Sequence, residues 1–217
     1  MALKDAPSKQ GYCVQMATNH LSHFLLTREL MPLLETAADR NGEARVVNHS
    51  SRARTRAKYN GKYLEKRGGD LGGDKNGFLP LSGPRWERYA QTKLANCLFT
   101  YALKEKLQAK ESKVKVLVAH PGASATNLTT TTAADGGVSQ WLLDCWLSFM
   151  AQTGEDGACP LLECIANPQA QAGDFYGPQG GSKGQAVKIT PEAFCYDPES
   201  MKSLWELSEQ ATGEFKV

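Results

Sequence analysis

The sequence predicts an α/β fold, and three observations predict it. Two short apolar runs, within Arg45–Asn48 and Val114–Ala119, are too brief for helices and are bounded by polar or turn residues, as buried strands are. Long stretches of helical periodicity, about Val14–Ala38 and Arg85–Lys110, accompany them. Each short run also ends in residues suited to a cleft, Ser50-Ser51 after the first and Pro121-Gly122 after the second. Ligands of open α/β sheets bind beyond the carboxyl ends of their strands.

The elements follow in order. In the first helix Leu21, Phe24, Leu25, Leu30, Leu33 and Leu34 recur at helical spacing, and Asn19 sits among them although Asn is a poor helix former unless its side chain has a role. After the first strand, Arg52–Arg88 is rich in glycine and charge. Its basic run of Arg52, Arg54, Arg56, Lys58, Lys62, Lys66 and Arg67 reads as a solvated face rather than a contact to an anionic substrate. Loops this long often carry specificity or act as a flap. The second helix buries Leu94, Leu98, Tyr101, Ala102 and Leu107. Beyond the second strand come a Thr- and Ala-rich stretch (123–134), an apolar helix with Trp141, Trp146 and Phe149, a helix over Asp156–Ala166, a last edge strand ending at Asp174–Pro178, and a closing helix over Pro198–Thr212.

Composition narrows the function classes. A length of 217 residues suits one domain, 1–217, and a net charge of +2 points to neither nucleic acid nor a membrane surface. No run of about 18 apolar residues is present for a membrane span, and Met1-Ala-Leu-Lys-Asp-Ala-Pro7 has no signal-peptide core. Six cysteines without a C-x-x-C pair read as reduced thiols of an intracellular, cytoplasmic protein. His20 and His23, at i and i+3 without a carboxylate or thiolate in register, read as core or surface histidines, so no metal is expected. Asn48 and Asn127 match N-x-S/T by accident in such a protein.

The chemistry centres on Tyr89-Ala-Gln-Thr-Lys93. Positions i and i+4 share a helix face, so phenol and ammonium reach one cleft. A nearby ammonium is expected to lower the phenol's pKa and make Tyr89 a proton donor or acceptor near neutral pH. Alone, this spacing describes an ordinary surface pair, just as the Ser-rich and Pro-Gly turns alone are ordinary strand ends. Together, Asn19, Ser51, Tyr89-x-x-x-Lys93 and Pro121-Gly122 followed by Thr126 occur in one order, separated by helical stretches.

That order resembles the short-chain dehydrogenase/reductase family, in the branch of retinol dehydrogenases, WW-domain oxidoreductase and protochlorophyllide reductase. The resemblance is carried by Thr18-Asn-His-Leu-Ser-His-Phe-Leu-Leu-Thr27, Arg45-Val-Val-Asn-His-Ser-Ser51, Thr92-Lys-Leu-Ala-Asn96 and Val118-Ala-His-Pro-Gly122. It implies a Rossmann-like, doubly wound parallel sheet that is N-terminally truncated, with about the last three strands and their flanking helices. It implies Ser51 as the hydroxyl that polarises a carbonyl, Tyr89 as general acid/base, and Lys93 on the nicotinamide ribose. Asn19 would hold a relay water, and Pro121, Gly122 and Thr126 would line the cofactor. The implied reaction is hydride transfer between NADP (or NAD) and a carbonyl or alcohol of an apolar small molecule. The implied assembly is a homodimer through the two long helices. The strand, Gly-rich turn and helix that open a dinucleotide fold do not precede Asn19. Met1-Ala-Leu-Lys resembles the stretch after the family's Asn-Asn-Ala-Gly turn, which leaves the strand at 44–48 with an unpaired edge. The alternative is an inactive fragment acting as an interaction or regulatory subunit.

Overall fold

Alternation along the strands decides the architecture. The structure, a computed structural model, describes residues 1–79, 81–124 and 151–217. Among them one sheet runs in the order β1 (Ala44–His49), β2 (Val114–Ala119), β3 (Phe175–Pro178), β4 (Ala186–Ile189). β1 and β2 are parallel, with Ala44 opposite Val114 and His49 opposite Ala119; β2 and β3 are parallel, and β3 and β4 antiparallel. Successive side chains leave opposite faces of a strand. Val114, Val116, Val118 and Phe175 therefore enter the main core, while Val47, Leu117, Ala119 and Tyr176 pack with Leu161 and Cys164 in a second cluster. Both faces are covered by helices, which is the doubly wound arrangement.

The helices are α1 (Val14–Met16), α2 (Ser22–Asn41), α3 (Pro84–Ala109), α4 (Gly154–Ala166) and α5 (Pro198–Thr212). The helix expected over Val14–Ala38 runs on to Asn41 and contains a widened π-helical turn at Ala17–Leu21, with Asn19 at its centre. Such turns interrupt the regular ladder and recur at functional sites. α2 ends at Gly42, whose φ of +88° closes it with a left-handed cap. α3 begins with Pro84 in its first turn, where the missing N–H costs nothing. It is buried without a break from Arg88 to Leu103. α5 packs on it through Trp205, whose ring lies 5.1 Å from that of Phe24, itself 5.1 Å from that of Phe99. The expected apolar helix around Trp141–Met150 lies outside the described residues. No described helix is long and apolar enough to cross a membrane.

Three expectations change. β3 is not the edge, because β4 pairs outside it. β4 is a half-buried tetrad with a single exposed Lys188, too short and mixed to stand out from the preceding glycine-rich turn. The basic run is not simply a solvated face. Lys58, Lys66 and Arg67 are exposed, but Arg54 is only 3 % exposed. Its guanidinium meets Glu192 through two 3.0 Å bonds, donates to the Ser51 carbonyl (3.1 Å) and stacks 4.5 Å from the Phe175 ring centroid. The carboxylate that permits this burial lies 138 residues away in the chain, so local charge patterning cannot reveal it. Finally, α3 is enclosed within its own chain, so of the two helices expected at a dimer face only α2 offers an exposed row, Leu26, Leu30 and Leu33. Among the described residues no strand pairs with the outer edge of β1.

A second buried ion pair ties the N-terminal segment down. Asp5 accepts from the backbone N–H groups of Gly69, Leu71 and Gly73 and faces Arg88 at 3.6 Å. Arg88 in turn donates to the carbonyls of Leu3, Leu71 and Gly73. With side chains 0 % and 3 % exposed, neither partner has water to fall back on. Removing one member of such a pair costs about 3–5 kcal/mol. We expect Arg88→Ala to lose stability of that order in urea unfolding; a loss below about 1 kcal/mol would contradict this role for the pair.

Candidate active site

The sheet delivers β1 and β2 at one height. His49 lies opposite Ala119, and the Ser50 N–H donates to the Ala119 carbonyl at 2.8 Å, so Ser50-Ser51 and His120-Pro-Gly122 leave the sheet together. Of the two serines, Ser50 is fully buried. Its hydroxyl donates to the Lys93 carbonyl (2.9 Å) and accepts from Cys97 Sγ (3.1 Å), which fastens the strand end to α3. Ser51 is only half-buried. Its oxygen accepts from Ala53 N–H at 3.2 Å, capping the turn Arg52–Arg56, and its hydroxyl neighbours the Tyr89 phenol.

Tyr89 stands on the first turns of α3, 6 % exposed, with the Trp86 ring edge-on at 6.1 Å and Ala2 beside it. One turn later Lys93 is 7 % exposed. Its Nζ lies 3.2 Å from His49 Nδ1 and donates to the His49 carbonyl at 3.2 Å. Asn19 reaches the group from the π-helical turn: its Nδ2 donates to Thr92 Oγ1 (3.1 Å), which donates to the Tyr89 carbonyl (2.7 Å). Ser51, Tyr89, Lys93 and Asn19 are thus brought together. Pro121 and Gly122 sit at the adjoining end of β2, and Thr126 lies outside the described residues.

The expected depression of the phenol pKa is not found. Burial pushes Tyr89 up, and only the neighbouring Ser51 hydroxyl works against it. Lys93 does not help because its Nζ lies 5.8 Å from the phenol ring centroid and is turned toward His49. Burial also lowers Lys93 itself, to about 8. His49 is lowered to about 4 by crowding and then by Lys93 and His23, although its ring is exposed. His120 is lowered to about 3 by burial and then by Arg54, Arg52 and His49; its Nδ1 accepts from Gly122 N–H at 3.1 Å. His20 is a core residue bonded to Ser208 Oγ at 2.8 Å, and burial lowers it to about 4. Among the described residues no group of His, Cys, Asp and Glu could hold a metal ion.

Gly122 is needed for a reason other than a ligand. Its φ is +70°, and a Cβ there would lie 2.2 Å from the Ser182 carbonyl oxygen and 2.7 Å from Pro178 Cγ. The close approach is to the β3–β4 turn, which Arg52 also holds through a 2.6 Å bond to Ser182 Oγ. Sequence reasoning assigned no role to His49, although its segment had been singled out. A cavity of about 680 Å³ bordered by Arg28, Glu35, Asp39 and Lys113 lies elsewhere. It opens by Lys110, about 30 Å along α3 from Tyr89 at 1.5 Å per residue.

No protein-family model matches the chain. A chloroplastic short-chain dehydrogenase of Brassica napus, TIC 32 B, is 30 % identical over 202 residues, covering 93 % of this chain and 57 % of the relative. Human retinol dehydrogenase 14 is 29 % identical over 212 residues, covering 96 % and 55 %. These matches support membership of the short-chain dehydrogenase/reductase family. Another of these dehydrogenases, human polyprenol dehydrogenase, is 26 % identical over 217 residues, all of this chain and 59 % of the relative. The crystal structure of an uncharacterized Mycobacterium paratuberculosis protein superposes with a TM-score of 0.67 at 32 % identity, covering 100 % of this chain and 65 % of that one. The chain thus spans between half and two thirds of the length of these four proteins.

Because Gly122 carries both a left-handed backbone and a backbone contact, Gly122→Ala is expected to cost at least about 2 kcal/mol in guanidinium unfolding. A neutral substitution would mean that the β2 end does not lie against the hairpin turn.

Proposed function

We propose that this oxidoreductase-family chain carries the nicotinamide side of an NADP- (or NAD-) dependent enzyme acting on a carbonyl or alcohol of an apolar small molecule. One observation carries the proposal: Lys93 is a buried amine with no ion-pair partner among the described residues, one helical turn from a buried phenol that Ser51 contacts. A lysine kept for stability alone would be paired or exposed. The site fits the nicotinamide end of the cofactor in that Lys93 brings a cation and hydrogen-bond donors to the cleft where β1 and β2 end. Pro121, Gly122 and Thr126 would complete that side. The bound cofactor would supply the hydride donor or acceptor.

The chain's own groups manage the substrate oxygen. Ser51 would donate to it, and Tyr89 would give it a proton in reduction or take one in oxidation. With its pKa raised by burial, the phenol remains protonated through neutral pH, so in the ligand-free chain Tyr89 is set to donate. Asn19, joined to Tyr89 through Thr92, would hold the relay toward solvent. A homodimer is part of this reading, with Leu26, Leu30 and Leu33 of α2 supplying its apolar face. The same row and the edge of β1, unpaired among the described residues, favour a second reading, an interaction or regulatory subunit whose partner covers both.

Tyr89→Phe separates the two readings. It should lower NADPH-dependent carbonyl reduction by at least about 100-fold while leaving NADPH affinity unchanged. Unchanged turnover would overturn the assignment of Tyr89, and turnover absent already in the wild-type chain would favour the subunit reading. In the active enzyme the rate of reduction should be full below pH 8 and fall as pH rises through about 8, because Lys93 has a lowered pKa and loses its charge there. A flat profile from pH 6 to 10 would contradict a charged Lys93 in the reaction.

A further inference from the structure

His49 ends β1 immediately before the two serines, and it is tied to Lys93 twice. Its backbone carbonyl accepts from Lys93 Nζ (3.2 Å) and from Asn96 Nδ2 (2.9 Å). Its ring Nδ1 lies 3.2 Å from the same Nζ. An ammonium has donors only, so Nδ1 must be the unprotonated nitrogen and Nε2 carries the proton. The ring is exposed, whereas Lys93 is almost completely buried. The groups that face this pair are His23 from α2, the Cys97 thiol from α3, which favours the charged amine, and His120 from the end of β2, with Arg52 and Arg54 beyond His120. The pair therefore works without a described carboxylate, and the His49 ring is the side-chain acceptor that holds the amine.

We propose that His49 is a positioning residue for Lys93: its imidazole Nδ1 accepts from the ammonium, turns it toward the carboxyl end of β1 and favours its charged form. The importance of this for catalysis rests on the function proposed above; the contact itself does not. Replacing the ring leaves the His49 carbonyl in place, so the two effects can be separated. His49→Phe removes the acceptor. His49→Asn retains one, because the amide oxygen of Asn lies as many bonds from Cα as Nδ1 of His.

The test is the titration of Lys93 in the ligand-free full chain, followed by 13Cε-lysine NMR, with the signal assigned by its loss in Lys93→Arg. Wild type should titrate near 8. His49→Phe should lower that midpoint by about one pH unit, as expected for the loss of one charge-assisted bond, and His49→Asn should restore it. An unchanged midpoint in His49→Phe, or an equal fall in His49→Asn, would overturn the proposal. Turnover measured alongside separates the claims. A His49-dependent titration in a chain without turnover leaves the contact standing and removes only the enzymatic reading. An active enzyme whose Lys93 ignores His49 does the reverse.

Discussion

A helix that runs through the middle of a domain must satisfy every polar side chain it carries inward, and α3 is such a helix. Arg85 donates to the Asp74 and Ala2 carbonyls, and Arg88 to three further carbonyls and the Asp74 carboxylate while facing that of Asp5. Gln91 is held by the Lys58 carbonyl and Glu87, Asn96 by the His49 carbonyl, and Thr100 by Asn48. These partners come from the N-terminal segment, the glycine-rich loop and β1, so burying α3 also organises the chain around it. Lys93 meets no carboxylate among the described residues. A desolvated cation in that state costs stability, and the proposed function accounts for that cost.

The loops around the site depend on the same economy of partners. The strand end is fastened to α3 through Ser50, and the turn after it is braced from the far end of the chain by Arg54–Glu192 and Arg52–Ser182. Gly122 allows the end of β2 to rest on the β3–β4 turn. The antiparallel β4 thus serves the candidate site indirectly, by carrying the hairpin against which two of its loops pack.

Much of this was legible in the sequence because it depends on period and spacing. The i, i+4 relation of Tyr89 and Lys93, the strand-then-hydroxyl order that brings Ser50 and Ser51 to the cleft, and the bounds of β2 and α5 are all local properties; the choice of Ser51 over Ser50 comes from the family resemblance. What escaped is non-local. The burial of Arg54 depends on Glu192, and the raised phenol pKa depends on Ala2 and Trp86 enclosing Tyr89. His49 gains its meaning only when Lys93 swings to it. β4 was hidden because a four-residue, half-exposed strand has no distinct period.

The most direct test of the account is thermal unfolding of wild type and Lys93→Met, each with and without saturating NADPH. Ligand that binds only the native state raises the midpoint. The account predicts that Lys93→Met is the more stable of the two without ligand, because an unpaired buried cation is gone, and that NADPH raises the midpoint of wild type alone. A less stable Lys93→Met together with no NADPH-dependent rise in wild type would contradict it, and would make Lys93 a structural residue.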